Sequence, residues 1–172
     1  MSKGILVETE RTILREIIES DAEFIFDLLN QPSFIKYIGN RNVHTLDDAR
    51  DFIENRYRES YREHGFGLYL VELKENRAAI GICGFVQREG LTDADIGFAF
   101  LPQYEKKGYA YESADAIVKY GREKLNLKRI LAIATQNNEN SHRLLEKLGF
   151  KYERLIKLPH GEEQLKLFST ET

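Results

Sequence analysis

Between residues 95 and 135 the hydrophobic period of the chain changes twice. DIGFAFL (95–101) alternates like a strand, the segment from about Gly108 to Leu125 repeats at helical spacing, and RILAIAT (129–135) is again a short apolar run. A strand, a helix and a strand in succession imply a parallel pair of strands with a right-handed crossover. The helix places Ala110, Ala114, Ile117, Val118 and Gly121 on one side. Any fold assigned to this chain must be built around that unit.

Upstream of it, FGLYLVEL (66–73) and AAIGICGFVQRE (78–89) read as strands, and with 95–101 they suggest an antiparallel meander. TILREI (12–17) reads as a first strand. Ser20 and Glu23 have the spacing of a capping box for a helix through AEFIFDLLN, and a short helical turn covers SFIKYI. Thr45 and Asp48 suggest a second helix start, followed by Ala49, Phe52, Ile53, Tyr57 and Tyr61 on one face until Gly65. After residue 135 come a helix over NSHRLLEKL closed by Gly149 and a hairpin of FKYERLIKL and EQLKLFS around PHGE. The expectation is an α+β fold of three layers, α/β/α, with a mixed central sheet of about seven strands. No repeat or linker divides the chain, so residues 1–172 read as a single domain.

Bulk properties narrow the function. The net charge of -3, with acids and bases interspersed, argues against nucleic-acid binding, which needs a concentrated positive face. A lone cysteine, Cys83 in an apolar run, excludes a disulfide scaffold. The opening MSKGILVETER lacks the apolar core of a signal peptide, and no window approaches a membrane span. A cytoplasmic protein without a membrane partner is therefore expected. His44, His64 and His142 show no metal-ligand spacing with Cys83 or each other, so no metal is expected.

The stretch YEKKGYAYES (104–113) leaves the strand and opens the long helix. Backbone N–H groups at such a helix start lack intrahelical partners and, with the helix dipole, favour an anion. Gly108 permits close approach to the backbone, Ala110 leaves the next turn uncrowded, and Lys106 and Lys107 add charge. The chemistry suits a pyrophosphate, although a solvated strand–helix turn would have the same composition. A P-loop is excluded because Tyr109 and Ala110 follow Gly108, and no dinucleotide fingerprint is present. Downstream, NNENSHRLLEKLGF (137–150) places Asn138 and Ser141 three apart at a helix start, where either alone reads as a cap.

Together the two stretches resemble the GNAT superfamily of acetyl-CoA-dependent N-acetyltransferases, particularly the branch of the ribosomal-protein-alanine N-acetyltransferases. Gly108-Tyr109-Ala110 matches the second half of that family's pyrophosphate loop, and GYAYES is similar to the branch's usual Gly-Tyr-Ala-x-Glu-Ala. Asn138, Ser141, Lys147, Gly149 and Phe150 match the later Asn-x-x-Ser and Lys-x-Gly-Phe elements, and ERTILREIIESDAEFIFDLL resembles the branch's opening strand and helix. Glu105 and Lys106 depart from the pattern, standing where Arg, Gln or an aromatic and a further Gly are common. Leu145 stands where other branches carry a tyrosine acid.

The resemblance implies the acyl-CoA N-acyltransferase fold, with the sheet splayed between 95–101 and 129–135. It implies an acetyl-CoA cosubstrate whose arm pairs with the backbone of Phe98, Ala99 and Phe100. The pyrophosphate would lie at Lys106, Lys107, Gly108, Tyr109 and Ala110, with Asn138 and Ser141 also contacting the cofactor. It implies direct acetyl transfer to a primary amine, a protein N-terminus or a small molecule, in a ternary complex. Ser141 is the candidate acid or thiolate hydrogen-bond donor, Asn138 an orienting group, and His160 in LPHGEE a candidate base. Phe34, Tyr37, Ile38 and Tyr69 are candidates for the acceptor pocket. Transfer of another acyl group and CoA binding without turnover are the alternatives, in a monomer or homodimer.

Overall fold

A computed structural model describes residues 4–170. Its eight strands form one sheet: β1 (Ile5–Glu8), β2 (Thr12–Glu16), β3 (Leu68–Leu73), β4 (Ala79–Val86), β5 (Asp95–Phe100), β6 (Leu131–Thr135), β7 (Lys151–Ile156) and β8 (Leu165–Ser169). Their order is β1-β2-β3-β4-β5-β6-β8-β7. All neighbours are antiparallel except β5 and β6, the parallel pair that the crossover helix demands. The expected seven strands become eight because β1 had too few apolar residues to register. It is a partly exposed edge strand whose pattern never alternates fully.

Side chains alternate across the sheet and build a core on each face. Ile96, Phe98 and Phe100 of β5 face α5 (Tyr109–Glu123) together with Cys83, Phe85 and Val71. Leu70, Ile82 and Ala99 face the other way, toward α1 (Ala22–Leu29), α2 (Pro32–Tyr37), α3 (Leu46–Phe52) and the segment after it. The expected three-layer α+β architecture is thus present. On α5 the buried side is Ser113, Ala114, Ile117, Val118 and Gly121, close to the expected face, with Ala110 half-buried at its start.

Helix starts follow local polar chemistry. Thr45 caps α3 as expected: its Oγ1 accepts from the Asp48 N–H at 3.0 Å, and the Asp48 carboxylate accepts from the N–H groups of His44 and Thr45. The proposed box of Ser20 and Glu23 does not form. Asp21 takes the role instead, accepting from the Ile18 N–H at 2.8 Å and pairing twice with the buried Arg15 guanidinium at 2.9 Å. Because Arg15 also reaches Glu72 at 3.0 Å, the buried cation selects the residue that stays next to it.

The long helix expected from Thr45 to Gly65 is interrupted. Between α3 and α4 (Glu59–His64) lies a wide π-type turn, Ile53–Arg58, and Gly65 closes α4 in the left-handed conformation at φ 77°. The final helix, α6 (Glu139–Lys147), ends at Gly149 with φ 95°. The hairpin β7–β8 forms as expected, but β8, not β7, pairs with β6, leaving β7 on the edge.

Candidate active site

β5 and β6 share a single ladder position, Asp95 opposite Leu131, and then diverge. On its other side β5 pairs with β4 from Asp95 to Phe100. Beyond the vertex, the backbone groups of β5 that point toward β6 therefore have no strand to bond. Buried peptide groups require partners, so this edge suits an extended ligand that can supply them. The gap opens into a cavity of about 1170 Å³, above the usual range for one small ligand and roomy enough for two reactants.

Phe98, Ala99 and Phe100 line this cavity on one wall and Ala132, Ile133 and Ala134 on the other. Lys106, Gly108, Tyr109, Ala110, Asn138, Ser141 and His160 line it as well. Of the residues singled out from the sequence, Lys107 is not brought to it. Its carbonyl instead accepts from Arg11 Nη1 at 3.0 Å. Phe34, Tyr37 and Ile38, the residues expected at the acceptor pocket, line the same cavity. Tyr69 does not; it is buried in the core, stacked on Tyr61 with centroids 5.5 Å apart.

The turn at the open end of the gap is shaped by two left-handed residues, Lys106 at φ 61° and Gly108 at φ 86°. A lysine in that region is strained by about 1–2 kcal/mol, which the surrounding turn must hold. Gly108 is the N-cap of α5 and supplies no side-chain cap to the helix's first N–H groups. Arg11, at the start of β2, fastens this turn. Its Nε pairs with Glu112 at 2.7 Å and its guanidinium lies 4.4 Å over the Tyr109 ring. Burial alone would raise the Glu112 carboxyl, but hydrogen bonds from Thr9 and from the backbone and side chain of Arg11 hold it below its ordinary range. Arg11 escaped the sequence reading because its only mark was its place in the opening stretch ER.

At the other side of the gap, Asn138 caps α6: its Oδ1 accepts from the Ser141 N–H at 3.3 Å. The cap reading of Asn138 therefore holds, and its side chain still borders the cavity. Ser141 is half-buried beside it. His160 sits in the β7–β8 loop, strongly exposed, with Nε2 3.4 Å from Glu89. Pro159 of that loop packs so closely on the β4–β5 connection that a Cβ at Gly90 would stand 2.6 Å from its Cδ.

The sequence reading also missed Asp95. It is the vertex residue, 1% exposed, and borders the cavity. By alternation with Gly97 and Ala99 it points to the α1–α4 side of the sheet. Arg88 Nε donates to both of its oxygens, at 3.0 and 3.2 Å. Burial pushes the carboxyl up to about 6, with Arg88 acting in the opposite direction. A buried acid inside an apolar strand run is the available signal, and it is faint because such acids usually serve only an ion pair.

The described residues contain no group of His, Cys, Asp and Glu that could hold a metal ion, and none of their helices is long and apolar enough to cross a membrane.

With this geometry in view, known proteins give a consistent comparison. The acetyltransferase (GNAT) domain family matches residues 11–151. YoaA of Bacillus subtilis (strain 168), an uncharacterized N-acetyltransferase, is 32% identical over 153 residues, covering 88% of this chain and 86% of that one. A GNAT-family acetyltransferase structure from Bacillus anthracis superposes with a TM-score of 0.76 at 30% identity, covering 95% of each chain. The fold is shared with RimL, a ribosomal L7/L12 α-N-protein acetyltransferase solved with coenzyme A, at a TM-score of 0.82 and 17% identity, with 97% of each chain covered. The chain belongs to the GNAT family of acetyltransferases.

Proposed function

We propose that this chain transfers an acetyl group from acetyl-CoA to a primary amine by direct attack in a ternary complex. The observation that carries the reading is the single cavity joining the open backbone edge of β5, the α5 N-terminus and the buried carboxylate of Asp95. The residues present fit the cosubstrate. The α5 N-terminus with Lys106 would take the pyrophosphate, on a turn that Arg11 holds from behind, and the unpaired edge at Phe98, Ala99 and Phe100 would take the amides of the arm. Glu105 also borders the cavity, and its repulsion of an anion is opposed by Lys106 next to it.

When bound, the thioester supplies an activated acyl carbon with a good leaving group, since a thiol has a pKa near about 8.5. The chain must then supply a neutral amine, a polarised carbonyl and a partner for the departing sulfur. Asp95 takes a proton from the incoming ammonium, held ready by its place at the vertex and its pairing with Arg88. As the C–N bond forms and the C–S bond breaks, the Ser141 hydroxyl donates a hydrogen bond to the sulfur, which is finally protonated from solvent. Asn138 fixes the start of α6 and thereby the position of Ser141. His160 is the second candidate base, at the solvent end of the cavity. Holding amine and thioester together in one cavity supplies much of the rate.

Relatives in this family include a spermidine N(1)-acetyltransferase of Escherichia coli (strain K12) and ribosomal-protein acetyltransferases, so both small amines and protein N-termini stand as acceptor classes.

Calorimetric titration with acetyl-CoA tests the cofactor half of the reading. Wild-type protein should bind saturably and Gly108→Glu should not, because the new carboxylate occupies the anion turn. Gly108 has a positive φ, so that variant is strained; Arg11→Ala adds no strain at Gly108 and, by unfastening the turn from Glu112 and the Lys107 carbonyl, should weaken binding by about fivefold. Thiol release on a panel of amines then tests transfer. Binding without release on any amine would favour a CoA-binding protein lacking turnover.

A further inference from the structure

The α1–α4 side of the cavity carries positive charge that acetyl transfer does not use. Arg41 stands between α2 and α3, Arg56 on the wide turn between α3 and α4, and Arg88 on the β4–β5 connection, and all three border the cavity. Arg88 is engaged by Asp95. Among the described residues, Arg41 and Arg56 have no carboxylate partner; Arg56 rests 5.7 Å from the Phe52 ring centroid. Arg41 and Arg56 are exposed where they border the cavity; loss of water first, and then the charge of Arg88 and more weakly that of Arg56, push the Arg41 guanidinium below its ordinary range, with Tyr57 opposing.

The carboxylates that border the cavity on the same side are not paired with Arg41 or Arg56. Glu59 pairs with Arg62 at 3.0 Å, Glu63 lies 3.9 Å from His64 Nε2, and Glu89 faces His160. The wide turn matters here too. A π-type insertion re-aims the side chains that follow it and recurs at ligand sites. In this helix the turn brings Asn55, Arg56 and Tyr57 to the cavity wall.

We infer that the amine acceptor carries an anionic group, a carboxylate or a phosphate, which Arg41 and Arg56 bind while its ammonium faces Asp95. The inference rests on the transferase reading above and specifies its substrate class. Planar guanidinium groups suit either oxyanion, through paired N–H donors. A polyamine, by contrast, would bring ammonium groups against the guanidinium cluster and be repelled.

Two measurements decide it. In the first, thiol release is followed with matched acceptors: 2-aminoethyl phosphate against 2-aminoethanol, and an α-amino acid against its amide, each corrected for its free-amine fraction. The anionic member of at least one pair should have the higher kcat/KM by about tenfold or more, and Arg41→Met should reduce that preference by about tenfold. Which pair shows the preference tells phosphate from carboxylate. Equal turnover within both pairs, or a preference for a diamine over all of them, would overturn the inference.

The second measurement does not depend on turnover. Inorganic phosphate is titrated calorimetrically into the protein with and without saturating acetyl-CoA, which blocks the turn at Gly108. Saturable binding that persists with acetyl-CoA present and is lost in Arg41→Met supports the subsite, and no such binding sinks it. If no amine is acetylated while phosphate still binds in this way, the transferase reading fails and the anion subsite stands.

Discussion

At the scale of single residues, Asp95 decides most. Its carboxyl titrates at about 6 in the folded protein, raised by burial and restrained by Arg88. A general base works only when deprotonated, so kcat/KM should be low at pH 5 and rise through about pH 6 to a plateau. Asp95→Asn should abolish this limb and lower kcat/KM by about 10²–10⁴. If the limb survives in that variant and disappears in His160→Ala, the histidine is the base. Stability should move the other way. A folded-state pKa above the unfolded value means that the native state holds its proton more tightly, so Asp95 contributes a loss of stability as pH rises from about 4 to 6. The sequence showed Gly108, Ala110, Asn138 and Ser141 because each belongs to a motif with fixed spacing. Asp95 and Arg11 belong to none: Arg88 meets Asp95 across a hairpin, and Arg11 meets Glu112 across 101 residues of chain. Tyr69 shows the reverse failure, since an aromatic in a strand looks the same whether it lines a pocket or fills a core.

At the scale of elements, what matters is how α5 is seated, because its first turn is the proposed anion site. Gly121 lies on its buried face, and a Cβ there would stand 2.6 Å from Cζ of Phe85, a fully buried ring. Two effects compete in Gly121→Ala. Alanine favours the helix by about 1 kcal/mol over glycine, whereas overpacking a filled core costs about 1–3 kcal/mol. The Phe85 ring is packed against Phe66 and cannot move aside freely, so the clash should win. Urea unfolding should show a lower midpoint with an unchanged slope. A raised midpoint would mean that the helix can lift off the sheet at no cost. Periodicity disclosed α5 and α6 well, since a one-sided apolar stripe is what packing on a sheet requires. It could not disclose the wide turn at Ile53–Arg58, because an extra residue in one turn leaves an apolar pattern that still reads as helical.

At the scale of the whole molecule, the proposed function depends on a sheet that is left open. Strand order is where the sequence was least informative: nothing in EQLKLFS says that it, rather than FKYERLIKL, will lie against β6. The parallel pair was readable from the crossover, but its separation after a single ladder position was not; there β6 stays bound only on its far side, by five pairs to β8. A strand held on one side only should show the asymmetry in hydrogen exchange. In the free protein, the amides of β5 that bond to β4 should exchange slowly, whereas those between Ile96 and Phe100 that point into the gap should exchange faster. If an arm of acetyl-CoA lies along this edge, saturating ligand should slow that second set selectively. The β2–β3 pair, remote from the gap, should follow only the global stabilisation expected of any ligand, about 2.7 kcal/mol at a hundredfold excess over Kd. Uniform slowing over the whole sheet would place the ligand elsewhere. Selective slowing at β5 and at the first turn of α5, lost together in Gly108→Glu, would locate both ends of the ligand on the two features that the splayed sheet brings into one cavity.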